Sequence, residues 1–321
     1  MAALDRRPRS LAHESRPVVS VDFCGLRLAH PIVNGSGTFD ALAARRAFGA
    51  ALDEGFPFSA YVSKTITLQP RAGNPPPRLW ETPAGLINSI GLPNKGLAAY
   101  LAEDLPELAR LPVPVITNVM GSTAAELAEL VAACDRPAEI AAIELNVSCP
   151  NVKTGLDIGA DPHQLEQVVR AVRPHTGKPL IVKLTPNAAD VAACAAAAQE
   201  GGADAVSLIN TLRAFALAPA ARGRRPGPRS PEPWLGGRTG GLSGPAIRAV
   251  ALAQVAAVAA RVEIPTIGMG GVSSVAHARE LLDVGARLVA VGTASFRDPT
   301  AGARIARELN PGLLSPIRGQ A

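Results

Sequence analysis

The stretch Ile143-Glu-Leu-Asn-Val-Ser-Cys-Pro-Asn-Val152 turns from apolar positions to four side chains capable of polar chemistry: Asn146, Ser148, Cys149 and Asn151. Ala141–Val147 reads as a buried strand, and Pro150 stops it while restricting the backbone of Cys149. A thiol and carboxamides then stand at the mouth of a strand, where α/β enzymes keep their chemistry. A buried, inert thiol is the commoner fate of a cysteine, but the position between Ser148 and Pro150 favours an exposed one. No His neighbours Cys149 in sequence, so a protease-like Cys/His dyad is unsupported. A base that removes a carbon-bound proton, its pKa lowered by nearby positive charge, fits better.

Further chemistry-bearing residues punctuate the chain. Only five of the 32 basic residues are Lys, and Lys64, Lys95, Lys153 and Lys183 fall in or beside motifs. A Lys kept where Arg otherwise dominates points to a need for a compact ammonium. Lys183, in Val-Lys-Leu-Thr-Pro, has a bland reading as a snorkelling side chain. The Thr-Pro that follows favours an inward one, from which an ammonium could stabilise an anionic cofactor. Gly268-Met-Gly-Gly-Val272, Val291-Gly-Thr293 and Gly240-Gly-Leu-Ser-Gly-Pro245 are small-residue approaches where backbone N–H groups can reach phosphate oxygens.

Eight short apolar runs position these groups: Pro31–Asn34, Ala60–Lys64, Val113–Val119, Ala141–Asn146, Leu180–Leu184, Ala205–Ile209, Ile264–Gly268 and Leu288–Val291. Ala-rich segments of helical spacing lie between them, including Ala124–Cys134, His163–Val172, Ala188–Glu200, Pro245–Arg261 and Val275–Val284. Alternating strands and helices imply a parallel sheet, and eight units imply an α/β fold of the (β/α)8 TIM-barrel type, one domain with long βα-loop insertions. A doubly wound open sheet is the alternative. Asn34, Lys64, Asn118, Asn146, Lys183, Asn210, Gly270 and Gly292 end these runs, and in a barrel those ends share one face. Long connections at 65–111 and 211–241 are expected to be functional insertions.

Composition sets the bounds. The 321 residues are 47% hydrophobic but only 3% aromatic, so the core must be built from Ala, Val, Leu and Ile. The net charge of +5 admits nucleic acid or an anionic ligand, but the Arg residues are scattered and stacking platforms are scarce, so nucleic acid is not expected. Four Cys show neither metal spacing nor a disulfide framework; no metal is expected, and Cys134 and Cys194 read as small core residues. No signal-like or membrane-spanning run is evident, and the reading is a cytoplasmic protein without a membrane partner.

Asn146-Val-Ser-Cys-Pro-Asn151, Glu81-Thr-Pro-Ala-Gly-Leu-Ile-Asn-Ser-Ile-Gly-Leu92, Thr239-Gly-Gly-Leu-Ser-Gly-Pro-Ala246 and Ile267-Gly-Met-Gly-Gly-Val272 together resemble the dihydroorotate dehydrogenase family. The likeness runs in one order from Val21 to Pro299. It implies a barrel over residues 21–310, between short tails at 1–20 and 311–321, that binds one FMN and oxidises dihydroorotate to orotate in pyrimidine synthesis. Residue by residue, Cys149 matches the family's base. Lys64, Asn88, Asn146, Asn210 and Thr211 match its substrate ligands, with Ser89, Ile90, Gly91 and Leu92 clasping the orotate carboxylate. Ser36, Lys64, Thr65, Asn118, Asn146, Lys183 and Ile209 match the flavin contacts, and Gly244, Gly270, Gly271, Gly292 and Thr293 the surroundings of its phosphate.

The Cys base and the short, polar N-terminus resemble the soluble members, not the membrane-associated branch with its Ser base and helical extension. Leu156-Asp-Ile-Gly-Ala-Asp-Pro162 resembles the branch that uses NAD through a partner subunit carrying FAD and a 2Fe-2S cluster. A homodimer or a heterotetramer with that subunit is implied; the fumarate-using homodimers are the nearer rival. Leu212–Arg238 is longer and richer in Arg and Pro than the family leads one to expect. Outside the family, the rivals are a flavin barrel acting on another pyrimidine, a Schiff-base aldolase with Lys183 as nucleophile, and a non-catalytic scaffold.

Overall fold

The computed structural model describes residues 20–147, 158–218 and 232–310. All eight apolar runs contain strands: β1 (Ile32–Asn34), β2 (Tyr61–Val62), β3 (Val115–Val119), β4 (Ile140–Asn146), β5 (Leu180–Lys183), β6 (Ala205–Leu208), β7 (Thr266–Met269) and β8 (Leu288–Val291). They pair in parallel in the order β1-β8-β7-β6-β5-β4-β3-β2. β1 and β2 close the ring mainly through side chains, with one backbone bond beside them. The Asn34 carboxamide accepts from the Val62 N–H and donates to the Val62 carbonyl, both at 2.8 Å. Ser59 adds its N–H at 2.9 Å and its hydroxyl at 3.0 Å to the Ile32 carbonyl. This is the (β/α)8 barrel, and the open doubly wound alternative falls.

Strand alternation sorts the core into two layers. Val33, Val62, Ile116, Ala142, Ile181, Ala205, Ile267, Leu288 and Ala290 fill the barrel interior, while Ile143, Leu145, Leu180, Val182, Val206, Val289 and Val291 face the helices. An N-terminal hairpin, Val21–Phe23 paired with Leu26–Leu28, packs Val21, Phe23 and Leu28 against that interior. Its two-residue turn, Cys24-Gly25, has φ of 51° and 79°, the primed geometry that suits a tight hairpin.

Side chains start most of the outer helices. Thr123 caps Ala124–Asp135, Asp161 caps Pro162–Val172, Asp190 caps Val191–Glu200 and Ser274 caps Val275–Asp283, each accepting backbone N–H bonds of the first turn. Two starts differ. The 3-10 turn Pro245–Ile247 that leads into Arg248–Ala259 follows Gly244, and the turn Thr293–Phe296 follows Gly292; neither has a side-chain cap. Cys134 and Cys194 are buried on the inner faces of their helices. No helix among the described residues is long and apolar enough to cross a membrane.

The described parts of the two long connections carry regular structure. They weave a single antiparallel sheet in the order Leu212–Ala214, Gly240–Ser243, Gly85–Asn88, Leu79–Thr82. Glycine is obligatory at two of its close crossings: a Cβ on Gly85 would lie 2.1 Å from the Ser243 carbonyl oxygen, and one on Gly240 2.5 Å from that of Asn88. The first insertion also carries a helical stretch from Leu97 to Leu108 with one π turn at Tyr100–Asp104. It is anchored to the barrel by Tyr100, whose hydroxyl lies 2.7 Å from Thr117 Oγ1 on β3.

Candidate active site

Two residues beyond the apolar interior of four strands, the inward positions turn polar. Asn118 follows Ile116 on β3, Glu144 and Asn146 follow Ala142 on β4, Lys183 follows Ile181 on β5 and Ser207 follows Ala205 on β6. All five are buried, so Lys183 takes the inward reading. The strand register sets Asn146 beside Lys183 and Lys183 beside Ser207. Among the described residues, no carboxylate comes within ion-pair distance of Lys183, which is 6% exposed. A buried ammonium in that position is costly unless an anion joins it.

A second row links the loops after β1 and β2 to β4. Asn146 Nδ2 donates to Thr65 Oγ1 at 3.3 Å, which lies 3.4 Å from Ser36 Oγ; Ser36 in turn donates to the Ser63 carbonyl at 2.8 Å. Lys64 is covered by the β1 loop: a Cβ on Gly37 (φ 71°) would come 3.0 Å from its Nζ. Below this row, Asn118 Nδ2 donates to Glu144 at 2.5 Å and Ser207 Oγ donates to the other carboxylate oxygen at 2.7 Å. Asn118 Oδ1 is left buried without a donor among the described residues. An unmet buried acceptor costs on the order of 1–3 kcal/mol, so it marks where a donor belongs.

The insertion sheet carries the predicted substrate residues over this floor. Asn88 ends its strand and donates from Nδ2 to the Gly241 carbonyl at 3.3 Å. The segment Ser89–Leu92 is pinned from both sides. Asn74 donates to the Ser89 carbonyl and hydroxyl at 3.2 and 3.1 Å and takes up the Ile90 carbonyl through its own N–H. Asn94 donates to the Leu92 carbonyl at 2.9 Å and to Thr67 Oγ1 at 3.0 Å. Gly91 and Leu92 both sit at positive φ, 77° and 57°, a bend that a leucine adopts only where its surroundings enforce it. On the other insertion, the Thr211 N–H donates to Asn210 Oδ1 at 2.9 Å, and Asn187 Nδ2 holds the Thr211 carbonyl at 3.1 Å. Ile209 is buried, its N–H on the Met269 carbonyl.

The predicted glycines form one cradle. A Cβ on Gly271 (φ 69°) would lie 3.0 Å from the Gly244 carbonyl oxygen and 2.8 Å from Arg248 Cβ, and one on Gly270 (φ 134°) 2.5 Å from Ala251 Cβ. Gly244 (φ 88°) adjoins Thr293 Cγ2, and Thr293 Oγ1 bonds Ser243 Oγ at 2.8 Å. The uncapped turns that follow Gly244 and Gly292 begin here. Uncapped N–H groups beside close-approaching backbone suit a phosphate, and their place after the last two strands is the usual one in such barrels.

Cys149, with Ser148 and Asn151, lies outside the described residues. Asn34, Glu144, Ser207, Asn74, Asn94 and Gly37 were not among the expected site residues. The two-residue spacing from Ala142 through Glu144 to Asn146 was the signal for Glu144; the loop asparagines gave none. A cavity of about 750 Å³ is lined by Asp22, Cys24, Arg173, Gly177, Asp204 and Arg287 among others, at the N-terminal strand ends. Arg173 there is already paired with Asp204 at 2.6 Å, and the cavity is at the opposite end of the barrel from the polar floor.

Fold and site together define a (β/α)8-barrel protein with a polar floor at the C-terminal strand ends, a phosphate-type cradle beside it and a small antiparallel sheet as cover. The chain belongs to the dihydroorotate dehydrogenase family: the model of that family, described as dihydroorotate dehydrogenase, matches residues 18–313. It is 44% identical over 298 residues to the dihydroorotate dehydrogenase B (NAD(+)) catalytic subunit of Geobacter sp. (strain M21), covering 92% of both chains. Proteins of the same description from Pelobacter propionicus and Desulforudis audaxviator are each 46% identical to it, over 91% and 90% of this chain and 92% and 91% of theirs.

Proposed function

We propose that this chain is the FMN-binding catalytic subunit of an NAD-linked dihydroorotate dehydrogenase, oxidising (S)-dihydroorotate to orotate in pyrimidine biosynthesis. The observation that carries the reading is the polar floor at the C-terminal strand ends, where Asn146 lies beside the buried Lys183, together with the glycine cradle after the last two strands. The residues present fit FMN. The cradle of Gly244, Gly270, Gly271, Gly292 and Thr293 admits its phosphate, Lys183 offers a buried cation to the ring, and Asn118 Oδ1 offers an unmet acceptor. Lys64, Ser36, Thr65 and Ile209 complete the wall around it.

Bound there, FMN would supply the two-electron acceptor for hydride leaving C6 of dihydroorotate. The protein's part is binding, orientation and one proton. Asn88, Asn146, Asn210 and Thr211 hold the pyrimidine edges with carboxamide and hydroxyl groups, while the Ser89–Leu92 segment takes the carboxylate. Cys149 removes the proton from C5 onto its sulfur, so that loss of proton and hydride leaves the C5–C6 double bond of orotate. Positioned donors and a positioned base are each worth several orders of magnitude in rate. The insertion sheet covers the site and keeps water from competing.

The name of the relatives, catalytic subunit, supports a partner. FAD and the 2Fe-2S cluster are placed on that partner, and the assembly is read as a homodimer of this chain joined by it. The test is anaerobic addition of dihydroorotate to the purified protein, followed by reoxidation with NAD, fumarate or quinone in turn, with and without the co-expressed partner. Bleaching of the flavin and NAD-dependent recovery only with the partner support the reading. Recovery with fumarate alone refutes the NAD link, and a colourless protein refutes the flavin.

A further inference from the structure

Glu144 is the one carboxylate among the described interior residues at the barrel mouth, and it is 2% exposed. It takes no cation: neither Lys183 nor Lys64 is within ion-pair distance among the described contacts, and its two oxygens are met by neutral donors, Asn118 Nδ2 and Ser207 Oγ. A charge buried without a counter-ion is expensive, and hydrogen bonds offset only part of that expense. An apolar or amide residue would fill the same position between β3 and β6 at less cost, so stability does not explain the carboxylate.

Orientation does. A carboxamide can be set in a pocket either way round, because its two ends differ little in shape. A carboxylate accepts and does not donate, so against Glu144 only the Nδ2 end of Asn118 is tolerated. The planar group then has to present Oδ1 away from Glu144, and that oxygen is the buried acceptor without a donor. Asn118 is further held by its own N–H, which bonds Ser63 Oγ at 3.0 Å. Ser207 holds the carboxylate from the opposite side.

We propose that Glu144 is a positioning residue for the cofactor: through Asn118 it fixes a buried acceptor that would take a donor from the bound flavin. The inference rests on the reading of the site as an FMN site and adds the group that orients its floor. Glu144 touches neither substrate nor cofactor and acts only through the Asn118 carboxamide.

The test uses the full-length protein stripped of flavin and titrated with FMN, with flavin fluorescence as the readout, alongside kcat and KM for dihydroorotate and melting of the apoprotein. Glu144→Gln keeps the shape but lets the Asn118 carboxamide turn over. It is expected to weaken FMN binding at least tenfold and lower kcat, with KM changed less than threefold and apoprotein melting little altered. In an Asn118→Ala background the same substitution should add nothing, because the two residues act as one unit. Unchanged FMN affinity in Glu144→Gln, or an equal loss with and without Asn118, overturns the proposal. If Glu144→Gln does not accumulate, Ser207→Ala tests the same link: a loss of FMN affinity of about threefold or more supports it and no loss overturns it. A wild-type protein that binds no FMN would instead refute the underlying reading of the site.

Discussion

Gly241→Ala isolates the contribution of the insertion sheet to turnover. Gly241 lies in the strand Gly240–Ser243, one neighbour of which is Gly85–Asn88 and the other Leu212–Ala214. A Cβ there would fall 1.8 Å from Thr211 Oγ1 and 2.5 Å from Thr211 Cβ. Carbon atoms pack at about 3.5–4.0 Å, so the Cβ–Cβ approach is short by about 1 Å, and no rotamer of Thr211 moves its own Cβ. The backbone at Thr211 has to shift, and Asn88, bonded to the Gly241 carbonyl, shifts with it. A misplacement of about 1 Å in a substrate-positioning group costs roughly a hundredfold, or about 2.7 kcal/mol in transition-state stabilisation. The expected result is a fall of about that size in kcat/KM for dihydroorotate, with the flavin spectrum and FMN content unchanged, since the glycine cradle is built from other residues. Steady-state kinetics with a spectrum of the purified variant decide it. A kcat/KM within threefold of wild type would refute the argument that the sheet positions the substrate.

Three further outcomes are expected. Cys149→Ala should leave a yellow protein whose flavin is reduced by dihydroorotate on the order of 10²–10⁴ times more slowly in stopped flow; near-normal reduction would remove Cys149 from the mechanism. Gly271→Ala, at φ 69° and 2.8 Å from Arg248 Cβ, should yield protein largely free of FMN after gel filtration, and full retention would count against the cradle. His30 is half-buried beside β1, where desolvation pushes its pKa down to about 4, and Nδ1 accepts the Ile32 N–H. The unfolded chain therefore binds a proton first, and His30 lowers stability as pH falls from its ordinary 6.5 towards 4; His30→Gln should flatten the urea midpoint over that window, and an unchanged slope would refute the assignment.

The barrel was legible because its strands are buried on both faces and so read as continuous apolar runs, with their polar ends in register. The cover sheet was not. Gly85–Asn88 and Gly240–Ser243 are glycine-bearing and partly exposed, which mimics turns, and they pair across 153 residues between Asn88 and Gly241. The helical stretch from Leu97 to Leu108 was hidden by its Pro106 and by the Gly-Asn-Pro-Pro-Pro run that precedes it. At the site, Lys183 and Asn146 announced themselves as polar residues closing apolar runs. Glu144 did not, since a lone acid reads as solvated until its parity with Ala142 places it inside. Asn74 and Asn94 bond groups 15 and 27 positions away, contacts that no local pattern encodes.

The seam between β1 and β2 is held by the Asn34 carboxamide and by Ser59, whose N–H and hydroxyl both bond the Ile32 carbonyl, where every other joint of the barrel is a backbone ladder. The Val62 amide is consequently protected from solvent by the Asn34 carboxamide, and its hydrogen exchange reports the opening of that one joint. That joint borders the strand that ends two residues before Lys64. A motion there would part the staves next to the cofactor wall without breaking any strand–strand ladder.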